Sequence, residues 1–302
     1  MRKIALVTGM PRSGTTVIGE RLTIPPAIKE LYEPLNPEVG IRLARETFPL
    51  CGEGALDRDQ LSALLENIAK VRLPTPMPRP GSARSVLFNR TRRTIWGLKF
   101  SRASTTVIWK DPFAAFLADS VARRSDIPVI FTLRGPLETA ASFARMDWAL
   151  DVSRLRERMQ TAGYPTTSWP EAAPELRAAV VSAAQLWALI HVNVEYWMKT
   201  DTKITFVRIE DNIEAPEKLG AFIAQATGLD VKPAVPAITS PQDGDAPDLP
   251  TKAHVRNRSA ASITDYWRRT LTDAEIDYVS SFTAERWGRI RSATGLTGKA
   301  SN

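Results

Sequence analysis

Cysteine and histidine are almost missing from this chain of 302 residues: Cys51 stands alone, and the two histidines are His191 and His254. A single thiol closes no intrachain disulfide, and ligands so few and so far apart form no zinc pattern, so no metal site is expected. Long apolar runs are missing as well. Nothing approaches the roughly 18 apolar residues of a membrane span, and the run after Arg2-Lys3 is too short for a secretory signal. The chain is therefore expected to lack a transmembrane segment and to work in the cytoplasm, where a lone reduced cysteine is ordinary. Acid is missing locally. From Asn67 to Lys110 there is none, against Lys70, Arg72, Arg79, Arg84, Arg90, Arg92, Arg93, Lys99, Arg102 and Lys110. Over the whole chain 40 Lys+Arg face 33 Asp+Glu, a formal net charge of +7. Such a segment would draw in an anionic cofactor or substrate. No zinc finger, RNA-recognition motif or basic–aromatic interleaving accompanies it, so no nucleic-acid partner is expected.

What is present is an ordinary globular composition, 43% hydrophobic and 24% charged. Strand-like apolar runs at Ile4–Thr8, Ile28–Tyr32, Val107–Trp109, Pro128–Leu133 and Ile204–Ile209 alternate with helical patterns around Thr15–Leu22, Pro112–Ala122, Leu137–Leu150 and Pro216–Thr227. That alternation predicts an α/β fold, a central parallel sheet flanked by helices on both faces. Its ligand should lie at the carboxyl ends of the strands. Glu171–Met198 reads as one long, partly buried helix, and Ala260–Arg269 with Asp273–Arg291 as a closing pair. Pro74, Pro76, Pro78 and Pro80 make an extended connector inside a basic insertion at about 67–106, and Lys232–Thr251 is an aperiodic loop. With no repeat and no boundary, a single domain is expected.

Residues 9–16, Gly-Met-Pro-Arg-Ser-Gly-Thr-Thr, join the first strand to the first helix. A Gly-bounded turn leading into a helix N-terminus is a phosphate cradle, because backbone N–H groups converge there and the macrodipole favours an anion. The bland alternative is a capped turn, with Thr15 or Thr16 satisfying the orphan amides. The glycine spacing is that of a P-loop, but Thr15 stands where a nucleotide kinase carries lysine, and Arg12 lies inside the loop. A second segment, 128–142, runs from a strand ending in Arg134 through Gly135-Pro136 into a helix carrying Ser142. A charged planar fork and a short neutral donor so placed can converge on one phosphate.

Pro11-Arg12-Ser13-Gly14-Thr15-Thr16 resembles the 5′-phosphosulfate loop of sulfotransferases, and Arg134 with Ser142 resembles their 3′-phosphate segment. The resemblance implies a P-loop-type sulfotransferase fold and 3′-phosphoadenosine 5′-phosphosulfate (PAPS) as sulfuryl donor, with no metal needed. Three weaker matches follow in order. Lys110-Asp111-Pro112 is similar to the Lys-x-Pro of many bacterial members, and Arg208-Ile209-Glu210-Asp211 to an Arg-Tyr-Glu-Asp element. Lys252, Arg256 and Arg258 sit where the family places a cofactor-covering loop, here about 232–260. Leu31-Tyr32-Glu33-Pro34-Leu35 resembles the Tyr-Glu-Pro segment of carbohydrate 6-O-sulfotransferases. Glu33 is therefore the expected general base, ahead of Asp111 and of either histidine. As a base it needs burial to raise its affinity for protons. The implied reaction is in-line attack of an acceptor hydroxyl on sulfur, with Arg12 and Lys110 neutralising the developing charge. The expected acceptor is a small molecule or glycan: a sugar, glycolipid or glycosylated metabolite. Trp96, Trp109, Trp148 and Trp169 are candidate stacking faces. Two other readings stay open, a P-loop phosphotransferase and a non-catalytic nucleotide- or polyanion-binding module.

Overall fold

The central sheet has five strands, all parallel, in the order β2-β3-β1-β4-β5. They are β1 (Lys3–Gly9), β2 (Ile28–Tyr32), β3 (Thr106–Lys110), β4 (Val129–Leu133) and β5 (Ile204–Arg208). This is a computed structural model, describing residues 2–37, 46–71, 100, 104–124, 126–200, 202–234 and 265–296. Every residue of β3 and β4 is buried, as expected where helices cover both faces of a parallel sheet. Side chains alternate between two apolar layers. Leu6, Val107, Trp109 and Phe131 enter the larger one, while Ala5, Val7, Ile108 and Ile130 enter the other. Helices α1 (Thr15–Leu22) and α8 (Pro216–Thr227) close the smaller layer through Ile18, Leu22, Leu219 and Ile223. Helices α2 (Arg58–Lys70) and α6 (Ala178–Met198) line the larger one, with α10 (Asp273–Ala293) packed on α6. The molecule is thus a single α/β domain.

After β1 the chain steps to one side for β2 and β3, then crosses to the other for β4 and β5. That reversal opens a crevice at the carboxyl end of β1, the usual place for a ligand in such sheets. Helix α4 (Pro136–Met146) does not run back along the sheet. It packs on α6, α10 and the short α9 (Trp267–Thr270).

Several boundaries differ from expectation. Pro112–Leu117 is a 3₁₀ helix that passes into α3 (Ala118–Arg124), because Asp111 caps a tight first turn at Phe113. Residues 171–177 are not helical; α6 begins at Ala178. Three helices were not foreseen, the short one at Ile209–Glu214 among them. Arg58–Lys70 starts with a capping box from Asp57 and Gln60, and α5 (Val152–Thr161) buries only Val152, Leu155 and Met159. Among the described residues one helix, α6, is long and apolar enough to cross a membrane, contrary to the expectation that no stretch would be; 72% of its apolar window is buried inside the protein. Helix α7 (Ile209–Glu214) completes the turn after β5. The Pro-rich connector, most of the basic insertion and 235–264 lie outside the described residues.

Gly9 fixes the approach of β1 to β4. At its φ of 145° a Cβ would lie 2.4 Å from both the carbonyl oxygen and Oγ1 of Thr132. Gly9→Ala is expected to cost about 3 kcal/mol, from backbone strain and overpacking together. Urea unfolding checks this, and a loss under roughly 1 kcal/mol would contradict the close approach.

Candidate functional site

The loop from β1 to α1 is held by short polar contacts rather than by bulk. Thr132 Oγ1 donates to the Thr8 carbonyl (3.1 Å), which leaves its lone pairs for the Ser13 hydroxyl at 2.6 Å. Thr8 Oγ1 in turn donates to the Asp111 carbonyl at 2.8 Å. Threonines inside otherwise apolar strands were the sequence signal for these ties. The Ser13 amide donates to the Met10 carbonyl at 3.0 Å. Ser13 is thereby committed to holding the loop. The N-cap of α1 is Gly14, at φ 96° with Ile209 pressed against it, and no side chain caps the helix. A turn capped by Thr15 or Thr16 is therefore excluded. The first amides of α1 are left to an outside acceptor or water. Pro11 is buried beneath the loop, and Thr16 is half-buried at the helix start.

Arg12 adopts φ 74°, a left-handed conformation that a non-glycine residue enters at a cost of order 1 kcal/mol. This turn sends its side chain toward α4, where Arg12 Nε donates to Ser142 Oγ at 2.9 Å. Arg134 adds a second tie to the same residue, its Nη1 donating to the Arg12 carbonyl at 2.9 Å. The Arg134 carbonyl is itself held by Trp187 Nε1 from α6 at 2.9 Å, a brace the sequence did not reveal. Segments 9–16 and 128–142 thus meet in one place. Trp148, 39% exposed, lies 5.8 Å from the Arg12 guanidinium, measured to its ring.

A second cluster lies across α1. Lys110 extends from the end of β3 over Gly19, where a Cβ would come within 3.0 Å of its Cγ. Its ammonium, fully buried, donates to Glu33 Oε1 at 2.7 Å, approaches Thr16 Oγ1 at 3.4 Å and sits 3.5 Å from the centre of the Tyr32 ring. Glu33 is at φ 46°, its amide on the Lys110 carbonyl and its other carboxylate oxygen accepting from Asn36 Nδ2 at 2.8 Å. The Glu33 carboxylate is therefore surrounded by an ammonium and an amide rather than by the apolar neighbours expected from the sequence.

Asp111 has another task. It is fully buried, and its oxygens accept from Leu35 N (2.6 Å), Trp109 Nε1 (3.3 Å) and Phe113 N (3.1 Å). No acceptor molecule can reach it, so it braces the turn that carries Glu33. Trp109 is core, which removes it as a stacking face. His191 is also core, stacked on Trp187 at 3.8 Å with its pKa pulled down to about 3 by burial. Arg208 and Asp211 pair with each other at 2.5 Å. His254, Arg256, Arg258, Lys252 and Trp96 lie outside the described residues. Among the described residues no three His, Cys, Asp or Glu gather where a metal ion could sit. A cavity of about 210 Å³ between Glu46–Phe48 and α5 shares no residue with the cradle.

Burial outweighs the three N–H donors on Asp111 and pushes its carboxyl up to about 7, from an ordinary 3.8. The folded state then holds this proton more tightly than the unfolded chain, so its contribution is complete below about pH 4 and lost as pH rises through 7. Asp111→Asn has no such proton. The stability of the native protein relative to this variant should fall between pH 5 and pH 8 in urea unfolding; a constant difference would contradict the raised carboxyl.

No protein-family model matches the chain, and no curated protein matches it. Among solved structures, the sulfotransferase domain from the curacin biosynthetic pathway is similar over 94% of this chain and 98% of that one, at 16% identity and a TM-score of 0.41. Side-chain placement, rather than that likeness, carries the functional reading.

Proposed function

We propose that this chain transfers a sulfuryl group from PAPS to an acceptor hydroxyl. The observation that carries the reading is the pair of bonds by which Arg12 joins Ser142 and Arg134, so that two phosphate-type segments more than a hundred residues apart meet beside an uncapped helix N-terminus. The residue set fits a nucleotide with two separate anionic groups. Amides at Gly14 to Thr16 suit the 5′-phosphate, and Arg134 with Ser142 suits the 3′-phosphate. The bound donor supplies an electrophilic sulfur with a phosphate leaving group.

The protein's own part is electrostatic. Glu33 takes the acceptor's proton as the acceptor oxygen bonds to sulfur, and the electron pair of the breaking S–O bond goes to the 5′-phosphate. Negative charge thus leaves the carboxylate and appears on the leaving oxygen. Lys110 touches both Glu33 and Thr16, so its ammonium stays beside the charge throughout. Arg12 supplies a second preorganised donor, and one such donor is worth about 3 kcal/mol. Lys110 thereby restores from β3 the cation that a P-loop kinase carries at position 15. The acceptor is a sugar, glycolipid or glycosylated metabolite, with Trp148 as the exposed stacking face.

Calorimetry with 3′-phosphoadenosine 5′-phosphate (PAP) tests this reading. Micromolar binding is expected, at least tenfold tighter than ATP and weakened at least tenfold by Arg134→Ala. A preference for ATP would favour phosphoryl transfer instead, and no binding would remove the reading. With any acceptor that turns over, Glu33→Gln should lose 100- to 10,000-fold in kcat, in the usual range for a general base. Its PAP affinity should be unchanged. Full turnover by that variant would assign the proton to another group.

A further inference from the structure

One arginine in the crevice has no task in the reaction described above. Ser142 and Arg145 are three residues apart on α4, so they share a face of the helix, with Glu138 one turn earlier. Among the described residues, the Nε and Nη2 groups of Arg145 are buried and reach no hydrogen-bond partner. Its guanidinium lies 5.7 Å from the centre of the Tyr266 ring, and that of Arg134 lies 5.8 Å from the same centre. Tyr266 is 1% exposed and fixed by its hydroxyl, which donates to the Glu138 carbonyl at 2.6 Å. One locked ring therefore has two guanidinium groups against it.

Neither Glu138 nor Glu210 bonds to the buried Nε and Nη2 of Arg145. Glu138 folds back over Gly135, where a Cβ would meet its Oε2 at 2.1 Å, and Glu210 Oε2 is buried without a partner. Burial pushes both carboxyls above their ordinary range. A buried donor left without an acceptor is costly, and native proteins rarely leave a pair of them so. A doubly charged oxyanion between Ser142 and Arg134 would give the Arg145 donors their acceptors.

We propose that Arg145 is a third side chain of the second-phosphate site, and that it selects nucleotides carrying a 3′-phosphate over those with a 5′-phosphate alone. This rests on the donor reading above. Lys252, Arg256 and Arg258 were the sequence candidates for extra cationic contacts. From sequence, Arg145 has no motif to mark it, since an arginine in the last turn of a helix reads as a solvated, dipole-compensating residue.

The test is calorimetry of PAP and of 5′-AMP with the native protein, Arg145→Gln and Arg145→Lys. Arg145→Gln should weaken PAP by about ten- to a hundredfold, the usual worth of a charged hydrogen bond, and leave 5′-AMP within twofold. Arg145→Lys, which keeps the charge and loses the fork, should fall between. Without ligand, Arg145→Gln should melt at or above the native temperature, since it removes unsatisfied buried donors; a purely structural arginine would lower it. Native PAP affinity in Arg145→Gln, or equal weakening of PAP and 5′-AMP, overturns the proposal while leaving the donor reading intact. If the native protein binds neither nucleotide, both fall together.

Discussion

At Gly9 the backbone of β1 comes so close to Thr132 of β4 that no side chain fits between them, and the rest of the crevice is built on that contact. Ser13 can reach Thr132 only because the strands meet there. Once Ser13 is tied down, the loop must reverse at Arg12 in a left-handed turn, and this reversal aims the guanidinium at Ser142. Ile209, from the far edge of the sheet, then presses on Gly14 and leaves the helix start without a side-chain cap. A sequence of steric constraints, each a few ångströms long, thus produces an uncapped helix N-terminus with a cation on either side.

Charge is placed around this N-terminus with little solvent to screen it. Lys110 and Glu33 form a pair in which the lysine is fully buried and the carboxylate only slightly exposed. Breaking such a pair by removing one partner is costly, because the other charge is left without compensation. Proton transfer to Glu33 would be tolerated only if negative charge reappeared near Lys110, which is what departure of a phosphate oxygen would supply. Asp111 fixes the geometry from below by holding Leu35 N, two residues beyond Glu33. Both proposed reacting residues, Arg12 and Glu33, sit at positive φ. Such strain is held where surrounding structure over-determines it, commonly at functional sites.

Much of this was readable from residues alone, and the reasons differ by element. Ile28–Tyr32, Thr15–Leu22 and Pro216–Thr227 were located to the residue, because buried parallel strands and proline-started helices have strong local signals. Arg58–Lys70 was missed although Asp57 and Gln60 form a capping box, and Val152–Thr161 because its charged face hides the spacing of Val152, Leu155 and Met159. Two motifs led to the expectation that Arg134 and Ser142 converge on one phosphate, while their link through Arg12 was not foreseen. The Lys110–Glu33 pair was not, since contacts across 77 residues leave no local trace. For the same reason Asp111 was weighed as a base: sequence shows a carboxylate but not the three N–H groups that occupy it.

The most direct measurement of the central claim is a crystal structure of the protein with PAP. The 5′-phosphate is expected on the amides of Gly14 to Thr16 and the 3′-phosphate within hydrogen-bond distance of Arg134 and Ser142, with the Arg12–Ser142 contact opened or shared. A nucleotide bound elsewhere, or one whose 3′-phosphate faces solvent away from Arg134, would contradict it.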